Sequence, residues 1–317
     1  MKILVSGSLA YDRIMDFPGK FTDHILPDKI HVLNVSFMIN GLKENFGGTA
    51  GNIAYALSLF GERPIILSAA GRDFEPYRHW LAENGLSSEH IRIVEDELTA
   101  CAYITTDKSD NQITAFNPGA MRFPVTFDFD GLDPADTLAI VSPGGLQDML
   151  SFSGIYKEKG IDYIFDPGQS LPSWSGEEMR KMIDGSLIFI CNDYELQLTK
   201  EKTSLNEEEL LELTGTLIVT HGEYGSMILS RVDGQVEETD IPAVEADPVV
   251  DPTGAGDAYR VGLIKGLLLP GKDIVHAARM GALCATYSVE VYGTQNYRFT
   301  PDSFNRRFQE SFGNEAY

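Results

Sequence analysis

The residues Asp251-Pro252-Thr253-Gly254-Ala255-Gly256-Asp257 run directly into an apolar stretch, Ala258-Tyr259-Arg260-Val261-Gly262-Leu263-Ile264. Small residues at such a junction let successive backbone N–H groups converge at a helix N-terminus, where unpaired donors and the helix dipole attract an anion. An acid, Asp257, stands where that anion would lie. This makes chemical sense if the anion is a phosphoryl group in transfer and the carboxylate takes the proton of the attacking hydroxyl. Asp257 is thus a candidate base, with Gly254, Ala255 and Gly256 as the candidate anion hole. The same residues also fit an aspartate that caps a helix behind a tight turn.

A second glycine turn, Phe46-Gly47-Gly48-Thr49-Ala50-Gly51-Asn52, leads into another helical pattern. Its glycines allow a hydroxylated ligand to lie against backbone, with Asn52 in the first turn bonding the hydroxyls. Helix capping is the plainer use of the same residues.

Both turns need a frame, and the chain supplies the pattern of one. Short apolar runs at 2–5, 64–68, 137–142, 162–165, 186–190 and 216–219 alternate with helical patterns near 50–60, 74–84, 145–159, 175–183, 254–269 and 274–291. That alternation predicts an α/β fold with a mostly parallel sheet and helices on both faces. The rhythm breaks within 11–46 and 98–116, where strand-like segments such as Ala102-Tyr103-Ile104-Thr105-Thr106 appear. Strands inserted beside an α/β core are expected either to form a lid over the carboxyl ends of the core strands or to extend the sheet as a meander. No repeat or linker divides the chain, so residues 1–317 are expected to form a single domain.

With 25 Lys+Arg against 47 Asp+Glu the formal charge is −22. This acidity argues against a broad surface for nucleic acid or anionic membrane. The three cysteines, Cys101, Cys191 and Cys284, show no zinc spacing, and a reducing cytoplasm is the expected setting. No stretch is apolar for long enough to span a membrane or to make a signal peptide. Gly266-Leu267-Leu268-Leu269-Pro270-Gly271-Lys272-Asp273 approaches a phosphate-binding loop, but Asp273 replaces the Ser/Thr and the leucines continue a helix. Histidine pairs at metal spacing and a GxSxG elbow are both lacking, so zinc and serine hydrolase readings have no support.

The two glycine turns, in this order, resemble the two signatures of the ribokinase-like (PfkB) family of sugar and nucleoside kinases. The resemblance runs from Leu4 to about Phe299 and implies a three-layer α/β/α core with an inserted β-sheet lid, ATP as phosphoryl donor and Mg²⁺. Asp12 matches the family's acidic residue that bonds sugar hydroxyls, beside Gly47, Gly48 and Asn52. Asn192-Asp193-Tyr194-Glu195 matches the NxxE motif, which implies phosphate contact for Asn192 and water-mediated magnesium for Glu195; alone, it is equally a capping box. Thr220, Gly222 and Gly225 resemble the nucleotide-side turn, which on its own reads as a hairpin. Asp251 and Thr253 match positions that in many members help bind a monovalent cation, K⁺, with the Gly293-Thr294-Gln295 loop completing the site.

Within the family the chain most resembles the bacterial adenosine kinases, through Ser8-Leu9-Ala10-Tyr11-Asp12, Val35-Ser36-Phe37, Asn117-Pro118-Gly119 and the NDYE segment. That likeness implies purine-side contacts from Ser8, Ser36, Phe116 and Gln169, and a reaction that phosphorylates the 5′-hydroxyl of adenosine in purine salvage. Two positions depart from it. Ala102 replaces an aromatic that stacks on the base, with Tyr103 or Phe37 as candidate substitutes, and Ser170 follows Gln169 where a second glutamine is usual. Ribose, a hexose, inosine, guanosine or cytidine are the alternative acceptors, and a catalytically weak nucleoside sensor is the alternative class. A homodimer joined through the lid is expected, because unpaired edge strands favour pairing.

Overall fold

The computed structural model describes residues 1–25, 34–109 and 111–317. Residues 26–33, which fall in the first expected lid insertion, and Asp110, in the second, lie outside the described residues. The central sheet contains β1 (Lys2–Ser6), β4 (Ile65–Gly71), β5 (Ile91–Val94), β8 (Thr137–Val141) and β9 (Asp162–Phe165). It continues through β10 (Ile188–Asn192), β11 (Thr216–Thr220), β12 (Ser226–Val232) and β13 (Gln235–Ile241). The strand order is β13-β12-β11-β10-β9-β8-β1-β4-β5. Pairing is parallel except for the β11–β12 and β12–β13 hairpins at one edge.

The inner strands are buried on both faces, and their period of two divides the side chains between two cores. Ile3, Val5, Ile188, Ile190 and Ile218 join one core, while Leu4, Phe189, Cys191, Leu217 and Val219 join the other. On the first side lie α1 (Thr49–Leu59), α2 (Glu75–Glu83), α7 (Ala255–Leu267), α8 (Ile274–Val289) and α9 (Pro301–Phe312). On the second lie α3 (Leu146–Lys159), α4 (Gly176–Ile183), α5 (Asp193–Thr203) and α6 (Glu207–Leu210). The result is a three-layer α/β/α core. Asp273 caps α8, accepting from the His276 N–H, so the Leu-rich Gly266–Asp273 stretch is a helix–helix turn.

The structure fills several stretches to which the sequence reading gives no element. β5 and α6 are short, α5 is marked only by the capping-box reading of NxxE, α9 is announced only by its Thr300 cap and Pro301, and β13 carries mostly polar residues at the sheet edge.

A second sheet has the order β3-β2-β6-β7, from β2 (Ala10–Asp16), β3 (Gly41–Gly47), β6 (Ala100–Thr106) and β7 (Gln112–Asn117). β1 passes through Gly7-Ser8-Leu9 into β2, so this sheet hangs from the carboxyl end of a core strand. Its register sets Asp12 opposite Asn45 and Ala102, and Ala102 opposite Phe116. Among the described residues no helix is long and apolar enough to cross a membrane. All three cysteines are buried free thiols.

Candidate active site

Two helices begin at glycines that only glycine geometry allows. Gly48, which caps α1, has φ +86°, and a Cβ there would lie 2.6 Å from the Ser8 carbonyl oxygen and 2.7 Å from the Ala10 nitrogen. Gly254, which caps α7, has φ +80°, and its Cβ would lie 2.7 Å from the Thr294 side chain. Any other residue would strain the backbone and push neighbours away. In α7 the first-turn N–H groups of Gly256 and Asp257 have no carbonyl behind them within the helix, so they open toward the cleft.

Both helix starts face one cleft of about 600 Å³, lined by Asp12, Asn52, Asp166, Asn192, Glu195 and Asp257. A pocket of about 610 Å³ adjoins it under the second sheet, lined by Ser8, Asp12, Ala102, Phe116, Gln169 and Ser170. Another, of about 650 Å³, adjoins it on the far side and is lined by Thr220, Gly222, Gly225, Ala255, Gly256 and Ala282. Volumes of this size suit small organic ligands. Gly256 belongs to both the cleft and the second pocket, and Asp12 to both the cleft and the first.

Burial governs the charge at the centre. It pushes the Asp257 carboxyl up from an ordinary 3.8 to about 7, opposed by a hydrogen bond from Asn52, reinforced by nearby Asp166 and countered by Arg260. Asp12 is pushed up to about 6, again by burial first and then by Asp251. Behind Asp257, Arg260 grips Asp166 through Nε (2.8 Å) and Nη2 (3.1 Å), with both side chains almost fully buried. Arg260 Nη1 also donates to the Gly256 carbonyl at 3.1 Å, which braces the start of α7. Sequence reasoning missed this pair; its one signal was an arginine inside an apolar helical run three residues after Asp257.

Asn52 Nδ2 donates to Asp257 Oδ2 at 2.7 Å, so its amide is not free for a ligand alone, although a second Nδ2 proton remains. Gly47 serves Asp12: a Cβ on Gly47 would lie 2.4 Å from the Asp12 carboxylate. Asn192 and Glu195 form a complete capping box at the start of α5, yet both side chains still line the cleft. Asp251 accepts from the Thr253 N–H (2.9 Å) and the Gly293 N–H (3.0 Å), joining two loops. Gln295, expected with that loop, turns inward and is buried.

Ser36 is exposed and lines none of these pockets. Tyr103 does not replace the missing aromatic, because one residue along a strand reverses the side chain and Arg13 holds its hydroxyl at 3.1 Å. Phe37 packs against Phe17 and Phe21, and Phe46 against Tyr77 and Trp80. The Val219–Gly225 segment is indeed a strand–turn–strand hairpin, whose glycines border the second pocket.

Among the described residues no group of three or more His, Cys, Asp or Glu could hold a metal. Glu195 uses Oε2 for its cap, which leaves Oε1 uncommitted, and the residue lines the cleft. That donor set fits a magnesium ion carried in on nucleotide phosphates and touched through water.

Two pockets that adjoin one cleft, with a buried carboxylate in that cleft at an open helix start, have the layout of an enzyme passing a phosphoryl group between bound ligands. Comparison with known proteins agrees: residues 18–301 match the pfkB family carbohydrate kinase profile, and the chain belongs to that family. The chain is 39% identical to the Burkholderia thailandensis nucleoside kinase solved in complex with inosine, with 99% of each chain covered and a TM-score of 0.85. The ADP-inosine complex of that enzyme aligns at 41% identity and TM-score 0.81 over 99% of this chain and 97% of that one. The Methanocaldococcus jannaschii nucleoside kinase, described as an archaeal member of the ribokinase family, aligns at 28% identity and TM-score 0.83 over 98% and 99%. A nucleoside kinase of Methanothermobacter thermautotrophicus is 31% identical over 99% of this chain and 97% of its own. The fold is therefore ribokinase-like, with a mostly parallel central sheet and a small separate sheet.

Proposed function

We propose that the protein is an ATP-dependent nucleoside kinase that phosphorylates the 5′-hydroxyl of a purine ribonucleoside. The observation that carries this reading is the position of Asp257 where the two outer pockets open into one cleft. In the proposed reaction the nucleoside lies in the first pocket, with its ribose against Asp12, Gly48 and Asn52 and its base near Phe116, Gln169 and Ser8. ATP lies in the second, with phosphates near Thr220, Gly222 and Asn192. Asp257 accepts the proton of the 5′-hydroxyl as that oxygen bonds to the γ-phosphorus and the bond from phosphorus to the β-phosphate oxygen breaks. The open N–H groups of the Gly254–Asp257 turn stabilise the charge on the moving phosphoryl. Glu195 would hold a magnesium ion through water, and the ion would supply further neutralisation of the phosphate charge. A lid role for the second sheet, which excludes water over the first pocket, completes the proposal.

Adenosine to AMP is the acceptor reaction favoured by the sequence motifs. Inosine is a second reading, favoured by the bound ligand of the Burkholderia relative. The test is kcat/KM with Mg-ATP for adenosine, inosine, guanosine, cytidine and ribose side by side. A purine ribonucleoside at the top supports the proposal; ribose or a hexose ahead by tenfold overturns the acceptor while leaving the kinase chemistry standing.

Three subsidiary proposals belong with it. K⁺ is proposed at Asp251 and Thr253, where each Asp251 oxygen accepts one N–H and keeps a lone pair for a cation. A homodimer through the lid is supported by β7, exposed along its whole length at the sheet edge, and is checked by the mass in solution at micromolar concentration. A cytoplasmic setting is supported by three buried free thiols.

A further inference from the structure

A chain of side-chain hydrogen bonds leads from the protein interior to Asp257, and its polarity is fixed by the group at its far end. Trp80 on α2 donates from Nε1 to Gln295 Oε1 at 2.9 Å. An indole nitrogen can only donate, so it forces the carbonyl end of Gln295 toward itself and the amino end away. That amino group donates to Asn52 Oδ1 at 3.0 Å and to the Tyr77 hydroxyl at 2.7 Å. Tyr77 in turn gives its proton to the Gly47 carbonyl at 2.8 Å, which confirms that it accepts from Gln295. With Oδ1 of Asn52 engaged, its amino end must face the carboxylate, and it donates to Asp257 Oδ2 at 2.7 Å. Without Gln295, Asn52 would be free to rotate and present an oxygen to Asp257.

We infer that Gln295 is a positioning residue for phosphoryl transfer: anchored by Trp80, it locks the Asn52 amide so that an N–H always meets Asp257. This rests on the reading of Asp257 as the base. The lock does two things. It occupies Oδ2 and so leaves Oδ1 to receive the hydroxyl proton, and it favours the ionised carboxylate against the burial that opposes it. Gln295 is itself almost fully buried, at 3% exposed, and all its hydrogen-bonding groups are used within the relay. Both of its N–H donors are committed within the relay, and its carbonyl oxygen is held by Trp80.

Other charges also face Asp257. Asp166 follows β9 and Asp12 lies on β2; both oppose its ionisation, while Arg260 one turn on in α7 favours it. Glu195 on α5 borders the same cleft, and the hydroxyls of Tyr77 on α2 and of Tyr297 are near enough to feel the carboxylate. Of these groups only Tyr77 bonds Gln295, and it keeps its bond to the Gly47 carbonyl when Gln295 is changed to an apolar residue of similar length, so the variant acts through the relay.

The experiment is the pH profile of kcat/KM for a purine ribonucleoside with Mg-ATP in wild type, Gln295→Met and Trp80→Phe, with nucleoside binding measured by calorimetry. Loss of the N–H from Asn52 disfavours the ionised base, so the acid limb of Gln295→Met should move up by about one pH unit. Activity should fall by about tenfold below the limb and recover at alkaline pH, and Trp80→Phe should shift the limb in the same direction. A uniform loss at every pH, or a limb unmoved in the folded variants, overturns the proposal. Should Gln295→Met fail to fold, Trp80→Phe decides, because its ring can keep the stacking on Phe46 and Tyr55. The outcomes separate from those of the base assignment: an active Asp257→Asn removes the base, whereas an inactive one with an unmoved limb in Gln295→Met removes the relay alone.

Discussion

Arg260 holds Asp166 in a two-point grip at 2.8 and 3.1 Å, one helical turn behind Asp257 and with both partners shielded from solvent. A buried pair of this kind adds little net stability over apolar residues, but removing one partner leaves an uncompensated charge. Arg260→Met should therefore destabilise the protein by about 3–5 kcal/mol in urea unfolding. A double variant that also removes Asp166, Arg260→Met with Asp166→Leu, should recover much of the loss. A single-variant loss under about 1 kcal/mol would place the pair among solvated ones.

Asp257→Asn should lower kcat by about 10²-fold or more, with nucleoside binding by calorimetry retained, because the base is needed only as the hydroxyl becomes a phosphoester. Wild-type kcat should rise with pH through about 7, where the carboxyl ionises. Stability should move the other way. A carboxyl whose folded value lies above its ordinary 3.8 favours the native state least once it must ionise there, so stability is lost as pH rises from about 4 to about 7. The melting temperature of Asp257→Asn should match that of wild type near pH 4 and exceed it at pH 8. An equal difference at both pH values would mean the carboxyl is not buried as described.

Asp12 lies against Gly47, which leaves room for its carboxylate, at the junction of the first pocket and the cleft. Removing a hydrogen bond to a charged group costs about 1.5–3 kcal/mol, so Asp12→Ala should weaken ribonucleosides by roughly ten- to a hundredfold. The 2′,3′-dideoxy analogues, which never made those bonds, should lose little. Asn52→Ala should instead lower kcat as well as binding, since its amide also serves Asp257. Equal losses for both ligand types in Asp12→Ala would argue against a sugar contact.

Ala102 lies between Asp12 and Phe116 in one row across three neighbouring strands, and both Ala102 and Phe116 border the pocket proposed for the nucleoside. An aromatic there would face the base from the strand next to Phe116. Ala102→Phe should lower KM for purine nucleosides, with base stacking contributing about 1–3 kcal/mol. An unchanged or higher KM for adenosine and inosine alike would show that the base does not lie against this row.

What could be read from the sequence was local. Gly48 and Gly254 announce positive-φ turns because no other residue adopts them cheaply, and the polar residues that follow, Asn52 and Asp257, must sit in the first turn of each helix. The alternation of apolar runs and helical patterns gives the α/β layering for the same reason: period and burial are properties of short segments. Even the fate of the Leu-rich stretch before Asp273 was legible, since its leucines continue the preceding helical pattern.

The tertiary structure decided everything that depends on register between distant segments. Tyr103 and Ala102 are neighbours in sequence, yet the pleat sends them to opposite faces and only the pairing of β2, β6 and β7 shows which one borders the pocket. Arg260 reads as an oddity in an apolar helix until the end of β9 brings Asp166 against it. Gln295 reads as part of a loop completing a cation site until Trp80 is seen to fix its amide in the interior. Hydrogen-bond polarity passes through space from one side chain to the next, and a linear pattern carries no record of which groups meet.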